Sequence, residues 1–146
     1  MVLIALYIGP GRWPNALIRR WQRSPYSHCE VITRVVADQY ECWSASAQDG
    51  GVRRKVMALT PAHWELYLMR RADPDKVREW FFDHEGDGYD LLGLLGFAWR
   101  PWRGERSKWW CSEAAAAALG FREPFRFDVA TFAEVVRRYG YRQPIA

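Results

Sequence analysis

Residues 28–47 hold two β-rich stretches, "HCEVITRVV" and "YECWSASA", with only "ADQ" between them. β-Branched side chains fit a pleated strand better than a helix, where their χ1 freedom is lost against the preceding turn. A gap this short and polar reads as a turn, so the two stretches pair as an antiparallel hairpin. "QDGG", residues 48–51, marks the next loop, after which "GVRRKVMAL" reads as a further strand and "HWELYLM" as another. Upstream, the short apolar "MVLIALYIG" reads as a buried strand ending at "GPG". An antiparallel meander is therefore expected to form the centre of the molecule.

The remaining segments read as helices. Pro14 is placed to start one, with Trp13, Leu17, Ile18 and Trp21 on one face, and Pro25 ends it. "DPDKVREWFFDHEG" carries a capping Asp73 and Pro74 at its first position. "YDLLGLLGFAW" is apolar and helical in pattern, and "RPWRGERSK" follows as a basic loop. "CSEAAAAAL" is a strong helix former stopped by Gly120, and "DVATFAEVVRRYG" is amphipathic with Asp128 as its cap. Helices and hairpin strands segregate along the chain, which predicts an α+β fold. No repeat, linker or composition break interrupts it, so residues 1–146 read as one domain.

Composition narrows the function classes. Hydrophobic residues make up 49% and charged residues 26%, a globular balance rather than a disordered one. No apolar run approaches the roughly 18 residues of a membrane span. The N-terminus lacks a basic leader and a small-residue cleavage site, so the chain reads as cytoplasmic. A net charge of +4 suits approach to an anionic surface without selecting lipid, cell wall or nucleic acid. No nucleic-acid recognition motif is present. Nine tryptophans suit core packing first, and grooves or interfaces second. Three cysteines, without C-x-x-C or zinc spacing, argue against a disulfide framework and a structural metal. A tight "AD" turn would place Cys42 near Thr33 rather than Cys29, so Cys29 and Cys42 read as core thiols.

Two residues carry potential chemistry. Cys111 lies at the start of a helix, where backbone N–H groups and the dipole favour a thiolate. The nearest upstream capping residue, Ser107, would instead draw Cys111 inside the first turns. His28 opens a strand after a Pro-containing turn and could take a proton from a thiol. His63, at a strand start, and His84, on a polar helix end, are weaker candidates. An imidazole base gains from a third polar group. Glu41 and Ser44 lie on the next strand but on opposite faces, so only one can point at His28. Glu30 shares the His28 face, two residues along, and is the fallback. Glu113 reads as a first-turn helix carboxylate.

"PYSHCEVI", "CWSASAQDGGVRRK", "GYDLLGLLGF" and "WWCSEAAAAALG", in this order, resemble the permuted branch of the NlpC/P60 papain-like superfamily, in which the His strand precedes the Cys helix. The likeness spans nearly the whole chain, and "SASAQDGGVR" resembles small phage- or prophage-encoded members. It implies a permuted papain-like fold and a cysteine peptidase- or amidase-type hydrolase, or an acyltransferase, acting on an amide, ester or thioester. Cys111 matches the nucleophile, His28 the base, and Tyr26 a tyrosine that supports the oxyanion. The third member would be Glu41 or Ser44, with Glu41 favoured because a carboxylate stabilises imidazolium better than a hydroxyl. The implied substrates are cell-wall peptides or acyl lipids, with no cofactor or metal, no specific nucleic-acid partner, and action at a cell-wall or membrane surface. The alternative is a non-catalytic binding module of the same fold, presenting an aromatic, basic groove to peptidoglycan, lipid or another anionic surface.

Overall fold

The computed structural model describes residues 1–10, 19–20, 22–91 and 107–145. The strands are β1 (Leu3–Tyr7), β2 (His28–Val36), β3 (Gln39–Ser46), β4 (Gly51–Met57), β5 (Trp64–Leu68), β6 (Gly88–Tyr89), β7 (Lys108–Trp109) and β8 (Tyr141–Gln143). The helices are α1 (Pro74–His84), α2 (Cys111–Ala118) and α3 (Val129–Tyr139), with a 3-10 turn at Pro124–Arg126. The chain is α+β, as its pattern predicts. Most of the expected helix beginning at Pro14, and most of the "YDLLGLLGFAW" and "RPWRGERSK" segments, lie outside the described residues. Among the described residues no helix is long and apolar enough to cross a membrane.

One sheet holds the strands in the order β7-β6-β4-β3-β2-β1-β5-β8. The meander expectation holds for β2, β3 and β4, which are antiparallel neighbours. It fails at β5, which pairs with β1 instead of continuing beyond β4. The reason lies in the faces. β1 is buried along nearly its full length, so it needs a strand on both sides and takes β2 and β5. β8, a short strand after α3, closes the sheet beside β5.

Alternation gives the sheet two apolar faces. Val2, Ile4, Leu6, Cys29, Val31, Trp43 and Ala45 join buried residues of all three helices in the larger core. Leu3, Ala5, Ile32, Tyr40, Cys42, Leu59 and Leu66 form a smaller cluster. The alanine run explains the tight seat of α2, since Ala114, Ala115 and Ala116 are almost wholly buried. Short side chains let a helix backbone approach the sheet closely.

The β2–β3 hairpin turns through Ala37 and Asp38, with Ala37 at φ 53°. Val36–Gln39, Val35–Tyr40 and Arg34–Glu41 pair regularly from there. Cys42 then pairs with Ile32 and not with Thr33, because Thr33 is an extra residue in a β-bulge. From that point the register runs one residue offset, through Val31–Trp43. Continued one step further, it sets Glu30 across from Ser44. An uninterrupted ladder would set Glu30 across from Ala45, on the apolar face that packs against the helices.

Candidate active site

α2 begins at Cys111 itself. Trp110 is its N-cap residue in extended conformation, without a side-chain cap, so Ser107 does not extend the helix upstream. The indole N–H of Trp110 and the hydroxyl of Ser112 both donate to the carbonyl of Phe127, at 2.9 and 2.8 Å. Those bonds bracket Cys111 and pin the first turn of α2 to the segment before α3. The N–H groups of that first turn are set to stabilise negative charge on or near the sulfur.

His28 and Cys111 meet. Both line one open cleft of about 430 Å³, and each shifts the ionisation of the other. His28 retains 22% exposure, on the cleft side. Its Nε2 lies 2.8 Å from Oε1 of Glu30, which leaves Nδ1 as the ring nitrogen for the sulfur. The edge of Trp64 contacts the same ring at a centroid distance of 6.4 Å, and Tyr7 packs edge-on against Trp64 at 4.9 Å. The imidazole is therefore held by Glu30, Trp64 and Cys111 together.

Glu30 is only 1% exposed, and a buried carboxylate requires a charged partner. Arg53 of β4 supplies it with a two-pronged grip: Nη1 donates to Oε2 at 2.7 Å and Nη2 to Oε1 at 2.6 Å. Arg53 Nε donates in turn to Asp49 at 2.8 Å. A chain of alternating charge thus runs Asp49–Arg53–Glu30–His28–Cys111.

The electrostatics follow from this chain. Burial would raise the Glu30 carboxyl, but bonds from Arg53 and His28 outweigh it and hold the group below its usual range. Burial would lower the His28 imidazolium, yet the Cys111 and Glu30 charges push it up to about 10. Cys111 is held well below an ordinary thiol, by a hydrogen bond from the Cys29 thiol first and by His28, against its own burial. Cys29, wholly buried and facing the Cys111 charge, is raised. These shifts favour a thiolate–imidazolium pair over the neutral pair, with burial keeping Cys29 protonated.

Glu41, Ser44 and Tyr26, the other expected site residues, make their contacts elsewhere. Glu41 does not reach His28: it lies on the Trp43 side of β3, pairs with Arg34 across the ladder, and has Arg54 at 3.7 Å. Ser44 lies on the correct side, as the cross-strand partner of Arg53, but its hydroxyl donates to the Cys29 carbonyl at 2.7 Å. The group on His28 is Glu30. Tyr26 is also spoken for, since its hydroxyl donates to Glu65 at 2.7 Å and lies outside the cleft lining. Glu65 also accepts from Tyr67 and Arg142, so Tyr26 joins a polar cluster around that carboxylate. Glu113 is in the first turn of α2 but buried, and burial together with Asp90 pushes its carboxyl up to about 8.

His63 lies in the turn before β5, and His84 closes α1 stacked on Trp80 at 4.1 Å. Cys29, Cys42 and Cys111 are all free thiols. Arg53 escaped the sequence reading because "VRRK" looks like a solvated cationic run. The usable signal was alternation, which sets Arg53 and Lys55 on one face and leaves Arg54 on the other.

The arrangement can hold a nucleophilic sulfur, an imidazolium next to it, a carboxylate behind the ring, and helix N–H groups for a developing oxyanion. No protein-family model matches the chain, and no curated protein matches it, so the site stands on its own geometry.

Proposed function

We propose that this chain is a cysteine hydrolase or acyltransferase with a permuted NlpC/P60-like, papain-type arrangement, using Cys111, His28 and Glu30. The observation that carries the reading is the His28 ring held between Glu30 and Cys111 at the first turn of α2, inside an open cleft. The Cys111 thiolate attacks the carbonyl carbon of an amide, ester or thioester. The oxyanion forms beside the backbone N–H groups that open α2. The His28 imidazolium then protonates the leaving nitrogen, oxygen or sulfur. Water or another acceptor, deprotonated by His28, releases the acyl group and restores the thiolate. Glu30 holds the ring orientation and stabilises its cationic form, and Arg53 keeps Glu30 ionised.

The order of the motifs supports the permuted reading, with the His strand β2 preceding the Cys helix α2. The cleft suits a carbonyl bonded to an apolar group, because Tyr7, Met57, Trp64 and Leu91 share its lining with the site. The test is turnover of two substrate panels, cell-wall peptide fragments and acyl lipids, by the parent and by Cys111→Ala. Acyl-group release by the parent, and its loss in a folded Cys111→Ala protein, is the expected result. Equal turnover by both proteins would end the proposal, and binding to either panel without turnover would leave a binding module.

A further inference from the structure

The mechanism above uses one sulfur, yet two meet at the site. Cys29 and Cys111 belong to the same packed core cluster, where α2 seats on β2, and each shifts the ionisation of the other. Cys29 directly follows His28 at the start of β2, whose neighbours β1 and β3 hold it in place. Cys111 lines the solvent-open cleft, whereas Cys29 is wholly buried and absent from the cleft lining. One sulfur can therefore meet a small solute from water, and the other can be reached only through the first.

We propose that Cys111 and Cys29 form an oxidisable dithiol, in which a hydroperoxide oxidises Cys111 and Cys29 then closes a disulfide onto it. In the first step the Cys111 thiolate attacks the distal peroxide oxygen. The O–O bond breaks, an S–O bond forms, and the alkoxide or hydroxide leaves with a proton from the His28 imidazolium. The sulfur is oxidised to sulfenic acid and the peroxide is reduced to alcohol or water. In the second step the Cys29 sulfur attacks the Cys111 sulfur. The S–O bond breaks, the S–S bond forms, and the Cys29 proton leaves with the hydroxyl as water.

The geometry assigns the order. The cysteine that lines the cleft is also the one whose thiol is held low, and thiolate character with access is what selects a cysteine for oxidation. Burial still disfavours a Cys29 thiolate, but the Cys111 charge that adds to this disappears once Cys111 becomes a neutral sulfenic acid. A site with a resolving thiol in contact halts at a reducible disulfide, whereas an isolated sulfenic acid proceeds to sulfinic acid.

The experiment treats the full chain with equimolar hydrogen peroxide, blocks remaining thiols, digests without reductant and maps the peptides by mass. The expected product is a Cys29–Cys111 linked peptide, two hydrogens lighter than its parts and undone by dithiothreitol, with Cys42 alkylated as a thiol. In Cys29→Ser the link is absent, Cys111 is labelled by a sulfenic-acid trap, and excess peroxide carries it to sulfinic acid. Cys111 recovered as sulfinic acid in the parent with no link, or a link involving Cys42, would overturn the dithiol. The parent measurement stands even if Cys29→Ser fails to fold. The readout is mass and not turnover, so an inactive but peroxide-linked protein would reject the hydrolase reading alone.

Discussion

Glu30→Gln removes one charge and no volume from the centre of the site. In the parent, the Glu30 carboxylate accepts bonds of 2.8 Å from His28 and of 2.7 and 2.6 Å from Arg53. Glutamine keeps one accepting oxygen, and its amide nitrogen confronts either an Arg53 N–H or His28. Two cations then share one neutral amide. A charge pair about 4 Å apart is worth ~4 kcal/mol at an effective dielectric near 20, and His28 is 22% exposed, so solvent returns part of this. The imidazolium, about 10 in the parent, is expected to ionise about 1–2 pH units lower in Glu30→Gln. Loss of ring orientation and of imidazolium stabilisation should cost ~10²–10⁴ in kcat/KM. Unpairing a buried charge costs about 3–5 kcal/mol of stability, and the lower end applies because the glutamine oxygen still accepts from Arg53. The assay is the rate of Cys111 alkylation by iodoacetamide against pH, beside a thermal melt. Glu41→Gln and Ser44→Ala serve as references and should keep the parent profile. An unshifted alkylation profile in folded Glu30→Gln would refute the carboxylate's role, and a shift in Glu41→Gln would reinstate the neighbouring strand.

In the parent, alkylation of Cys111 should be fast and nearly flat across neutral pH, where the thiolate is already present, and should change as His28 loses its proton near pH 10; a rise only around an ordinary thiol pKa would exclude the ion pair. Tyr26→Phe should cost about 1 kcal/mol of stability for the lost bond to Glu65, seen as a lower melting temperature, and leave alkylation and turnover untouched. A fall in turnover without a fall in stability would return Tyr26 to the oxyanion role. Glu113 has its carboxyl raised from 4.5 to about 8, so the folded protein binds more protons there than the unfolded chain between those values, and stability falls as pH rises through that window. Glu113→Gln should flatten that slope and melt higher than the parent at pH 8, which scans from pH 5 to 8 would check.

The strands and helices were readable because period and punctuation agree. "HCEVITRVV" coincides with β2, Asp73 caps α1 through the N–H groups of Asp75 and Lys76, and Asp128 caps α3 through Thr131. The meeting of His28 and Cys111 was expected from their motifs. What could not be read was lateral order: nothing local says that β1 sits between β2 and β5, since that depends on which strands are buried on both edges. The third site residue failed for a related reason. Glu41 was favoured for its charge, but its direction depends on a register that Thr33 shifts, and a bulge leaves little trace in composition. Glu30 was visible as a same-face neighbour of His28. Its burial became intelligible only once Arg53 was found two strands away.

The bulge at Thr33 also divides the β2–β3 hairpin into two lengths of ladder that need not keep step. The outer length, Arg34–Val36 against Gln39–Glu41, ends in exposed Val35 and Val36, and adding or removing matched pairs of residues there leaves the inner alignment alone. Removing Thr33 also keeps the inner alignment, since Arg34 and Ile32 then follow one another opposite Glu41 and Cys42. Removing an inner residue such as Val31, with the bulge kept, has the opposite effect: Glu30 moves across from Trp43 and Arg54 in place of Ser44 and Arg53. A single codon lost next to Glu30 would turn its charge toward the helix-facing core, whereas a far larger change at the hairpin tip would pass unnoticed by the cleft. Length variation in proteins sharing this arrangement should therefore gather at the bulge and beyond position 34, and avoid residues 30–32.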